Sequence, residues 1–343
     1  MIAPTPPGAS ALRAEAHVVS VAGPPGIEDT LSAMTARGAL KVEVRAVPLR
    51  DVPLPAPADV RTEGVSIMWR QGRASGSWAT SAVAALGDLA WLHSDFVGID
   101  SLPVAALARR GVVVTNGVGN YSRPMAEWVI LGMLTAAKRL PHFVRQSDAG
   151  IWDPSPELAE LEGSVALFLG LGSVGALAAP MAAALGVEVR GVARTPRSTI
   201  PPGVASLVPA GEWRSQLPDA DFVVLALPLT PDTASMIDAE AFRSMKPGAW
   251  LLNVARGELV DERALLAALD NGSLGGAVLD TFVEEPLPDH HPLWGRPNVV
   301  VVPHHTWSSQ RVARRMEDRF ASQLEAWVEG RPLTGRVDLV AGY

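Results

Sequence analysis

The strongest constraint on the fold is a point where an apolar run meets three spaced glycines and a helical run follows. Residues 165–169, VALFL, lead directly into Gly170, Gly172 and Gly175 in the spacing G-x-G-x-x-G, and the sequence continues as ALAAPMAAAL. In a unit of this kind the first glycine allows a sharp turn, the second lets the backbone approach a ligand, and the third lets helix and strand pack closely. The sequence therefore predicts a buried strand, a glycine turn and a helix in immediate succession.

The backbone N–H groups of this turn can donate hydrogen bonds to an anion. Those around Ser173 and Val174 would lie at the positive end of the helix and face the ligand. Pyrophosphate is the anion that this strand–turn–helix context favours, so we expect a dinucleotide here. A glycine turn that binds nothing is the alternative interpretation.

The following strand ends in arginines, where many nucleotide-binding sequences carry an acidic residue that holds a ribose. In VEVRGVA, 187–193, Ala193 stands at about the position of that carboxylate. Alanine cannot bond ribose hydroxyls, whereas Arg194 and Arg197, with Thr195 between them, can pair with a 2′-phosphate. The sequence therefore predicts NADP(H) in preference to NAD(H), with an ordinary solvated basic loop as the alternative.

Short apolar strands alternate with alanine-rich helical segments along nearly the whole chain, which predicts an α/β fold with parallel sheets. A length of 343 residues favours two domains. The helical tail at 309–330 is too short to form a domain and is expected to pack back on the first part. We therefore expect two Rossmann-like domains, with the cofactor domain, 119–307, inserted into a flavodoxin-like substrate-binding domain, 1–118 and 308–343.

Composition argues against several classes of function. A formal net charge of −7 disfavours nucleic acid as a partner, because phosphate backbones require clustered Lys and Arg. The chain has no cysteine, which removes disulfides and thiolate sites and fits a reducing cytoplasm. No apolar run reaches the roughly 18 residues of a membrane span, and no signal peptide is recognisable. The histidine pairs at 290–291 and 304–305 lack a recognised ligand spacing, so no metal is expected.

Polar residues follow successive strands of the second α/β set, where ligands bind in open parallel sheets. They are Arg256, Asp280, Glu285 and His304. A histidine can give and take a proton near neutrality, and a neighbouring carboxylate can fix its tautomer. An arginine can fork onto a substrate carboxylate and polarise a carbonyl. The set suits reversible hydride transfer at a 2-hydroxy acid, while a surface Arg–Glu bridge and a loop histidine are the plainer alternatives.

At these motifs the sequence resembles the D-isomer-specific 2-hydroxyacid dehydrogenases. The segments that carry the resemblance are LEGSVALFLGLGSVG, LPLTPDTASMIDAEAFRSMKPGAWLLNVARGELVDERAL, GAVLDTFVEEPLP and NVVVVPHHT. They are long and specific. The resemblance covers nearly the whole chain from about residue 60 and is densest from 124 to 307.

The resemblance implies a catalytic triad of Arg256, Glu285 and His304. It also implies a homodimer built around the long helix after residue 124. Further residues implied to contact the cofactor are Leu227, Pro228, Val254, Ala255 and Asp280, the last at the nicotinamide carboxamide.

Besides Arg256, four residues are expected at the substrate. The resemblance implies that the backbone N–H groups around Val97 and Gly98 receive the substrate carboxylate. Arg70 falls where some relatives meet a distal anionic group, with a solvated arginine as the alternative. Trp307 lies in PHHTW, where the family commonly has PHIG, and either shapes the substrate pocket or serves packing alone.

The sequence thus predicts an NADP(H)-preferring 2-hydroxyacid dehydrogenase acting as a 2-oxoacid reductase of the glyoxylate or hydroxypyruvate type. The alternative is a nucleotide-sensing scaffold of the same fold, like the dehydrogenase-related corepressors. The complete triad and the lack of a long interaction tail favour the enzyme.

Overall fold

The structure is a computed structural model, and it describes residues 18–49, 65–71, 76–154, 157–193 and 199–339. The chain divides into two compact units. The first consists of Met1–Asn120 with Gln310–Tyr343, and the second of Tyr121–Ser309.

The strands are, in chain order, β1 Val19–Gly23, β2 Val44–Pro48, β3 Ile67–Arg70, β4 Trp91–Ser94, β5 Val113–Thr115, β6 Val165–Leu169, β7 Glu188–Ala193, β8 Ser206–Pro209, β9 Phe222–Leu225, β10 Trp250–Asn253, β11 Gly276–Leu279 and β12 Val299–Val301. The helices are α1 Ile27–Ala36, α2 Gly76–Ala85, α3 Val104–Arg109, α4 Ser122–Ala137, α5 Leu140–Ala149, α6 Gly175–Ala183, α7 Ala239–Ser244, α8 Glu262–Asp270 and α9 Val312–Val328.

The first unit is built on a parallel sheet in the order β2-β1-β3-β4-β5, the flavodoxin-like order. Buried side chains of α2 and α3 cover one face of the sheet, and those of α1 and α9 cover the other. The ring of Phe320, in α9, stacks on Trp69, in β3, with 4.0 Å between centroids. The C-terminal helix α9 thus packs on the sheet of the first unit.

The second unit is a seven-stranded parallel sheet in the order β12-β11-β10-β9-β6-β7-β8. Read from β8, this is the Rossmann order with one further strand at the far edge. Separate apolar cores cover its two faces. The strand order reverses between β6 and β9, so the carboxyl ends of these strands flank a crevice of the kind in which ligands bind. The predicted α/β class with parallel sheets is confirmed.

Pro141 predicts a break in the helical stretch after residue 124, because proline inside a helix removes a hydrogen bond and clashes with the preceding turn. The structure has two helices there, α4 and α5, and Pro141 lies in the first turn of the second. Arg139 precedes that turn with a left-handed φ of 47°. Among the described residues, no helix combines the length and apolarity needed to cross a membrane.

Candidate active site

The glycine turn after β6 has the geometry of a closely packed cradle with one open position. Gly170 has a φ of 108°, and a Cβ there would lie 2.4 Å from the carbonyl oxygen of Ala226. A Cβ on Gly175 would lie 2.2 Å from the carbonyl oxygen of Gly170. A Cβ on Gly172 would meet nothing within 4 Å. The first and third glycines therefore allow close packing, while the second faces space that a ligand can enter.

The start of α6 presents the donors that an anion requires. Val174 is the N-cap, and no side chain caps the helix. Among the described residues, the backbone N–H groups of Ser173 and Val174 have no protein acceptor. Such groups at a helix start need a partner and favour negative charge. The turn therefore fits the pyrophosphate of a dinucleotide.

Other residues predicted to line the cofactor lie along the same edge of the sheet. Leu227 and Pro228 follow β9, and Val254 and Ala255 follow β10. The strand β7 ends at Ala193, so its last described residue is an alanine and not a carboxylate. Arg194, Thr195 and Arg197, predicted to hold a 2′-phosphate, lie outside the described residues.

His304 and Glu285 are brought together by the ends of two neighbouring strands. Nδ1 of His304 lies 2.7 Å from Oε2 of Glu285. The other carboxylate oxygen, Oε1, accepts the backbone N–H of Phe282 at 3.0 Å. A carboxylate only accepts hydrogen bonds, so Nδ1 carries the proton of this bond and Nε2 is left to meet a substrate. The two side chains are 46% and 37% exposed, which leaves them accessible.

Arg256 lies beside the loop that carries Glu285, and buried Asn253 sets its position. The Asn253 amide donates to the carbonyl oxygen of Arg256 at 2.8 Å and accepts the N–H of Ala255 at 3.0 Å. The next residue, Gly257, packs so closely that a Cβ there would lie 2.1 Å from the carbonyl carbon of Phe282. Sequence reasoning missed Asn253, although its place at the end of β10, in LLNVARGE, is a signal for such a role.

Asp280 anchors the loop that contains His304. Its carboxylate is 2% exposed, and Oδ1 accepts the backbone N–H groups of His305 at 2.7 Å and Thr306 at 3.0 Å. Oδ2 accepts the hydroxyl of Thr306 at 2.5 Å. Asp280, which was predicted to contact the nicotinamide carboxamide, thus also holds His305 and Thr306 in place within the second unit. Thr306, fully buried, was not identified from the sequence.

Trp307 is tied to the same loop. Its indole N–H donates to the carbonyl oxygen of His304 at 2.8 Å. Its ring meets Tyr121 edge-on, with 5.9 Å between centroids, and is 37% exposed. Both contacts lie within the second unit.

In the first unit, one residue expected at the substrate, Arg70, ends β3, and two others, Val97 and Gly98, follow β4. Val97 is exposed, and its carbonyl oxygen accepts the side-chain amide of Asn116 at 3.0 Å. Gly98, next to it, is partly exposed. Arg70 is only 4% exposed, and its guanidinium carbon lies 4.6 Å from the centre of the Phe96 ring. The alternative of a solvated Arg70 is therefore wrong, because the chain folds over this side chain.

A second histidine, His93, is buried in the first unit. Its Nδ1 lies 2.8 Å from Oγ1 of Thr115, and Nε2 lies 4.0 Å from Asp95. Burial, with a smaller contribution from the Arg319 charge, lowers the pKa of His93 to about 3. The ring is therefore neutral near pH 7. Among the described residues, no group of three or more His, Asp or Glu side chains is placed to hold a metal ion.

Comparison with known proteins identifies the family. The model of the family described as "D-isomer specific 2-hydroxyacid dehydrogenase, NAD binding domain" matches residues 130–306, more than half of the chain. The chain belongs to the D-isomer specific 2-hydroxyacid dehydrogenases. It is therefore an oxidoreductase that binds a nicotinamide cofactor.

Individual relatives agree with this family. A glyoxylate/hydroxypyruvate reductase A from Salmonella heidelberg is 37% identical over 221 residues, 64% of this chain and 69% of that protein. A glycerate dehydrogenase from Methylorubrum extorquens is 33% identical over 257 residues, 72% of this chain and 78% of that protein. The crystal structure of a D-isomer specific 2-hydroxyacid dehydrogenase from Xanthobacter autotrophicus Py2 with NADPH and MES has a TM-score of 0.77 and 30% identity, covering 95% of this chain and all of that one.

Proposed function

We propose that this dehydrogenase acts as a 2-oxoacid reductase of the glyoxylate or hydroxypyruvate type and prefers NADPH to NADH. The observation that carries the proposal is the His304–Glu285 pair, 2.7 Å apart, at the edge of the sheet where the glycine turn opens. A similar sequence from Salmonella heidelberg is named glyoxylate/hydroxypyruvate reductase A. The similar crystal structure from Xanthobacter autotrophicus Py2 contains NADPH.

His304 is the proton donor in this proposal. Its Nδ1–H is held by Glu285, so the protonated ring presents the Nε2 proton to the carbonyl oxygen of a 2-oxo acid. Glu285 stabilises the positive imidazolium before that proton leaves. Because Oε1 of Glu285 accepts the backbone N–H of Phe282, the carboxylate is oriented without help from the substrate.

Arg256 binds the acid and polarises the reacting carbonyl. A guanidinium forks onto a carboxylate and stabilises the negative charge that develops on the carbonyl oxygen. The side-chain amide of Asn253 hydrogen-bonds to the N–H of Ala255 and to the carbonyl oxygen of Arg256, and these two bonds fix the backbone from which Arg256 extends. A fixed donor loses less entropy when the substrate binds.

The glycine turn, with Ser173 and Val174, holds the cofactor pyrophosphate, and Arg194, Thr195 and Arg197 hold the 2′-phosphate. The bound nicotinamide supplies the hydride. Support for the NADPH preference is the end of β7 at Ala193, where no carboxylate is present to repel a phosphate. Leu227, Pro228, Val254 and Ala255 line the cofactor, and Asp280 meets the carboxamide with its remaining lone pairs.

The first unit serves as the substrate-binding domain and the second as the cofactor-binding domain. Backbone N–H groups at Val97 and Gly98 receive the substrate carboxylate, and Arg70 meets a polar or anionic group at its distal end. The enzyme works in the cytoplasm without nucleic acid or membrane, consistent with its lack of cysteine.

A homodimer built on α4 and α5 completes the proposal. Apolar side chains along these helices and just after them are exposed, and Trp152 is 95% exposed. The others are Leu131, Leu134, Leu140, Val144 and Ile151. Several exposed apolar side chains on two successive helices are typical of a protein interface. We name these six residues the α4–α5 face.

The test is a panel of 2-oxo acids with NADPH and NADH, followed by absorbance. We expect turnover of glyoxylate or hydroxypyruvate and a kcat/KM for NADPH at least about tenfold above that for NADH, a difference of about 1.4 kcal/mol. Replacing both Arg194 and Arg197 by Ser should abolish this ratio, while Arg190→Ser, an arginine paired with Glu188, should not. Equal values for the two cofactors in the unmodified enzyme would refute the preference. Tight cofactor binding without turnover would favour the scaffold alternative, which the named relatives do not support.

A further inference from the structure

The peptide group between His304 and His305 is held at both of its polar ends. Its carbonyl oxygen accepts the indole N–H of Trp307 at 2.8 Å. Its N–H donates to Oδ1 of Asp280 at 2.7 Å. Because a peptide group is a rigid plane, bonds at both ends fix its orientation. The ψ angle of His304 is thereby set by two side chains.

The φ angle of His304 is held as well. It is 47°, in the left-handed region that residues other than glycine seldom adopt without support. The N–H of His304 donates to the carbonyl oxygens of Asp280 and Val302, each at 2.9 Å. The backbone that aims this imidazole at Glu285 is therefore determined in both torsions by its surroundings.

Trp307 is itself well placed to hold this conformation. Its ring packs edge-on against buried Tyr121 and against His305, with centroids 5.9 Å and 5.4 Å away. These contacts limit rotation of the indole and keep its N–H directed at the carbonyl oxygen of His304. Leucine or valine at this position could not supply the donor.

We propose that Trp307 is a positioning residue for His304, acting through its indole N–H, rather than a wall of the substrate pocket. The proposal rests on the proposed function in one respect: it takes His304 as the group that exchanges a proton with the substrate. Without the indole donor, the carbonyl end of the His304–His305 peptide is free to rotate. The imidazole of His304 can then leave the orientation in which it hydrogen-bonds to Glu285.

The test compares Trp307→Phe with Trp294→Phe. Trp294 is a matched control, because its indole N–H also donates to a backbone carbonyl, that of Pro288, at 2.8 Å. Both tryptophans are more than a third exposed, 37% and 45%, so both variants are expected to fold. The first readout is amide hydrogen exchange at His305 and Thr306, which needs no substrate. Loss of one hydrogen bond should speed it by about tenfold in Trp307→Phe and leave it unchanged in Trp294→Phe.

The second readout is the division between kcat and KM. Trp307→Phe should lower kcat by about 10- to 100-fold with KM nearly constant, and should change the pH profile of kcat, because the imidazole is misplaced rather than the substrate. Unchanged exchange rates would overturn the proposal. So would a rise in KM alone that depends on the size of the 2-oxo acid, since that is the result expected of a pocket wall. Absence of turnover in the unmodified enzyme would refute the proposed function instead, and exchange rates would still decide the role of Trp307.

An independent observation concerns a cavity of about 340 Å³ in the first unit, beside α9. Its lining includes two guanidinium groups, from Arg315 and Arg319, and the hydroxyls of Ser322 and Thr334. None of the described residues that line it is an aspartate or glutamate. In a chain with a net charge of −7, this is a local concentration of positive charge.

Arg319 is the decisive residue of this cavity. It is partly buried, and burial lowers the pKa of its guanidinium. Among the described residues it has no carboxylate partner, and its one hydrogen bond is to Thr334 at 3.4 Å. Nearby, Nε of Arg315 donates to the carbonyl oxygen of Asn120 at 2.7 Å, which fixes the second guanidinium. A partly buried cation without a counter-charge is costly, and a bound anion would remove that cost.

We infer that this cavity binds a small oxyanion of the phosphate type, with the guanidiniums as ligands and the two hydroxyls as further donors. The probe is inorganic phosphate, compared with chloride at equal ionic strength in thermal unfolding of the enzyme saturated with NADP(H). Phosphate should raise Tm by about 2–4 °C in the unmodified enzyme. The same rise is expected in Arg314→Gln, an exposed arginine of the same helix paired with Asp318, and none in Arg319→Gln.

Equal stabilisation of Arg319→Gln and the unmodified enzyme would overturn the inference. If Arg319→Gln does not fold, Ser322→Ala replaces it, because Ser322 is exposed and its loss should only weaken phosphate binding several-fold. Calorimetric titration then decides between a weakened and an unchanged Kd, and an unchanged Kd contradicts the site.

Discussion

Nδ1 of His304 lies 2.7 Å from Oε2 of Glu285, although the two residues follow different strands, β12 and β11. These strands pair in parallel, with Leu279 opposite Val301, so their carboxyl ends emerge side by side. The register of the sheet thus brings together an acid and a base 19 positions apart in the chain. The opposite oxygen of Glu285 is bonded to Phe282, which leaves the carboxylate only one orientation toward the ring.

Replacing His304 by Gln should remove the proton donor while leaving the fold and the glycine turn intact. We expect kcat to fall by about 10²- to 10⁴-fold, the usual contribution of general acid–base catalysis. Binding of NADPH, followed by fluorescence, should stay within about twofold. His290→Gln, an exposed histidine outside the site, is the control. Near-normal kcat in His304→Gln would exclude the proposed role.

Alanine at two of the three glycines should separate cofactor binding from folding. At Gly172 a Cβ meets no protein atom, so Gly172→Ala should keep its Tm and weaken cofactor binding by about tenfold. At Gly175 a Cβ would lie 2.2 Å from a backbone oxygen, so Gly175→Ala should lose about 1–3 kcal/mol of stability. Calorimetry and fluorescence titration measure the two effects. Normal cofactor affinity in Gly172→Ala would argue against a ligand at this turn.

Asn253→Ala should affect both stability and substrate binding. It leaves the N–H of Ala255 and the carbonyl oxygen of Arg256 without their partner, at a cost of about 1–3 kcal/mol in unfolding free energy. Because the backbone before Arg256 is then loose, KM for the 2-oxo acid should rise. Asn271→Ala is the matched control, since its exposed side chain accepts the N–H of Ser273 at 2.9 Å. A stable variant with an unchanged KM would contradict this role for Asn253.

The folded protein should lose stability as the pH is lowered, over a range set by the folded and unfolded pKa values of His93. Its folded pKa, about 3, is below the ordinary value of 6.5. Between these values the unfolded chain binds a proton that the folded chain does not, so stability is lost as pH falls from about 6.5 to about 3. His93→Asn keeps a polar atom near Thr115 but does not titrate. We expect a lower Tm at pH 7 and a flatter decline in acid, with His290→Asn retaining the steep decline. Parallel Tm curves for all three proteins would refute this.

The α4–α5 face should control oligomeric state. Replacing Trp152 and Ile151, 95% and 57% exposed, by Ser removes apolar area that we propose is covered in the dimer. Light scattering coupled to gel filtration should then show a monomer, while Trp294→Ser, on a different surface segment, should remain a dimer. A monomeric unmodified protein would exclude the homodimer directly.

The alternation of strands and helices, the glycine turn and the break before Pro141 were predictable because each depends on neighbours within a few residues. The pairing of His304 with Glu285 needed one further assumption, that strands of one sheet end along one edge. Asn253 and Thr306 were missed because their partners are backbone groups whose positions depend on loop conformation. Burial of Arg70 was missed for a related reason. It depends on how Phe96 packs over the guanidinium, and hydrophobic patterning does not reveal that for a charged residue.

The helix α9 has a consequence for how the protein forms during synthesis. Phe320 and Trp327 complete an aromatic stack on Trp69 and Trp91, which emerge from the ribosome some 250 residues earlier. Until α9 has been synthesised, only α1 covers that face of the first sheet, whereas all the described strands of the second unit have already been made. Nascent chains stopped before residue 312 should expose that aromatic surface to chaperones, and the first unit matures last although it is translated first.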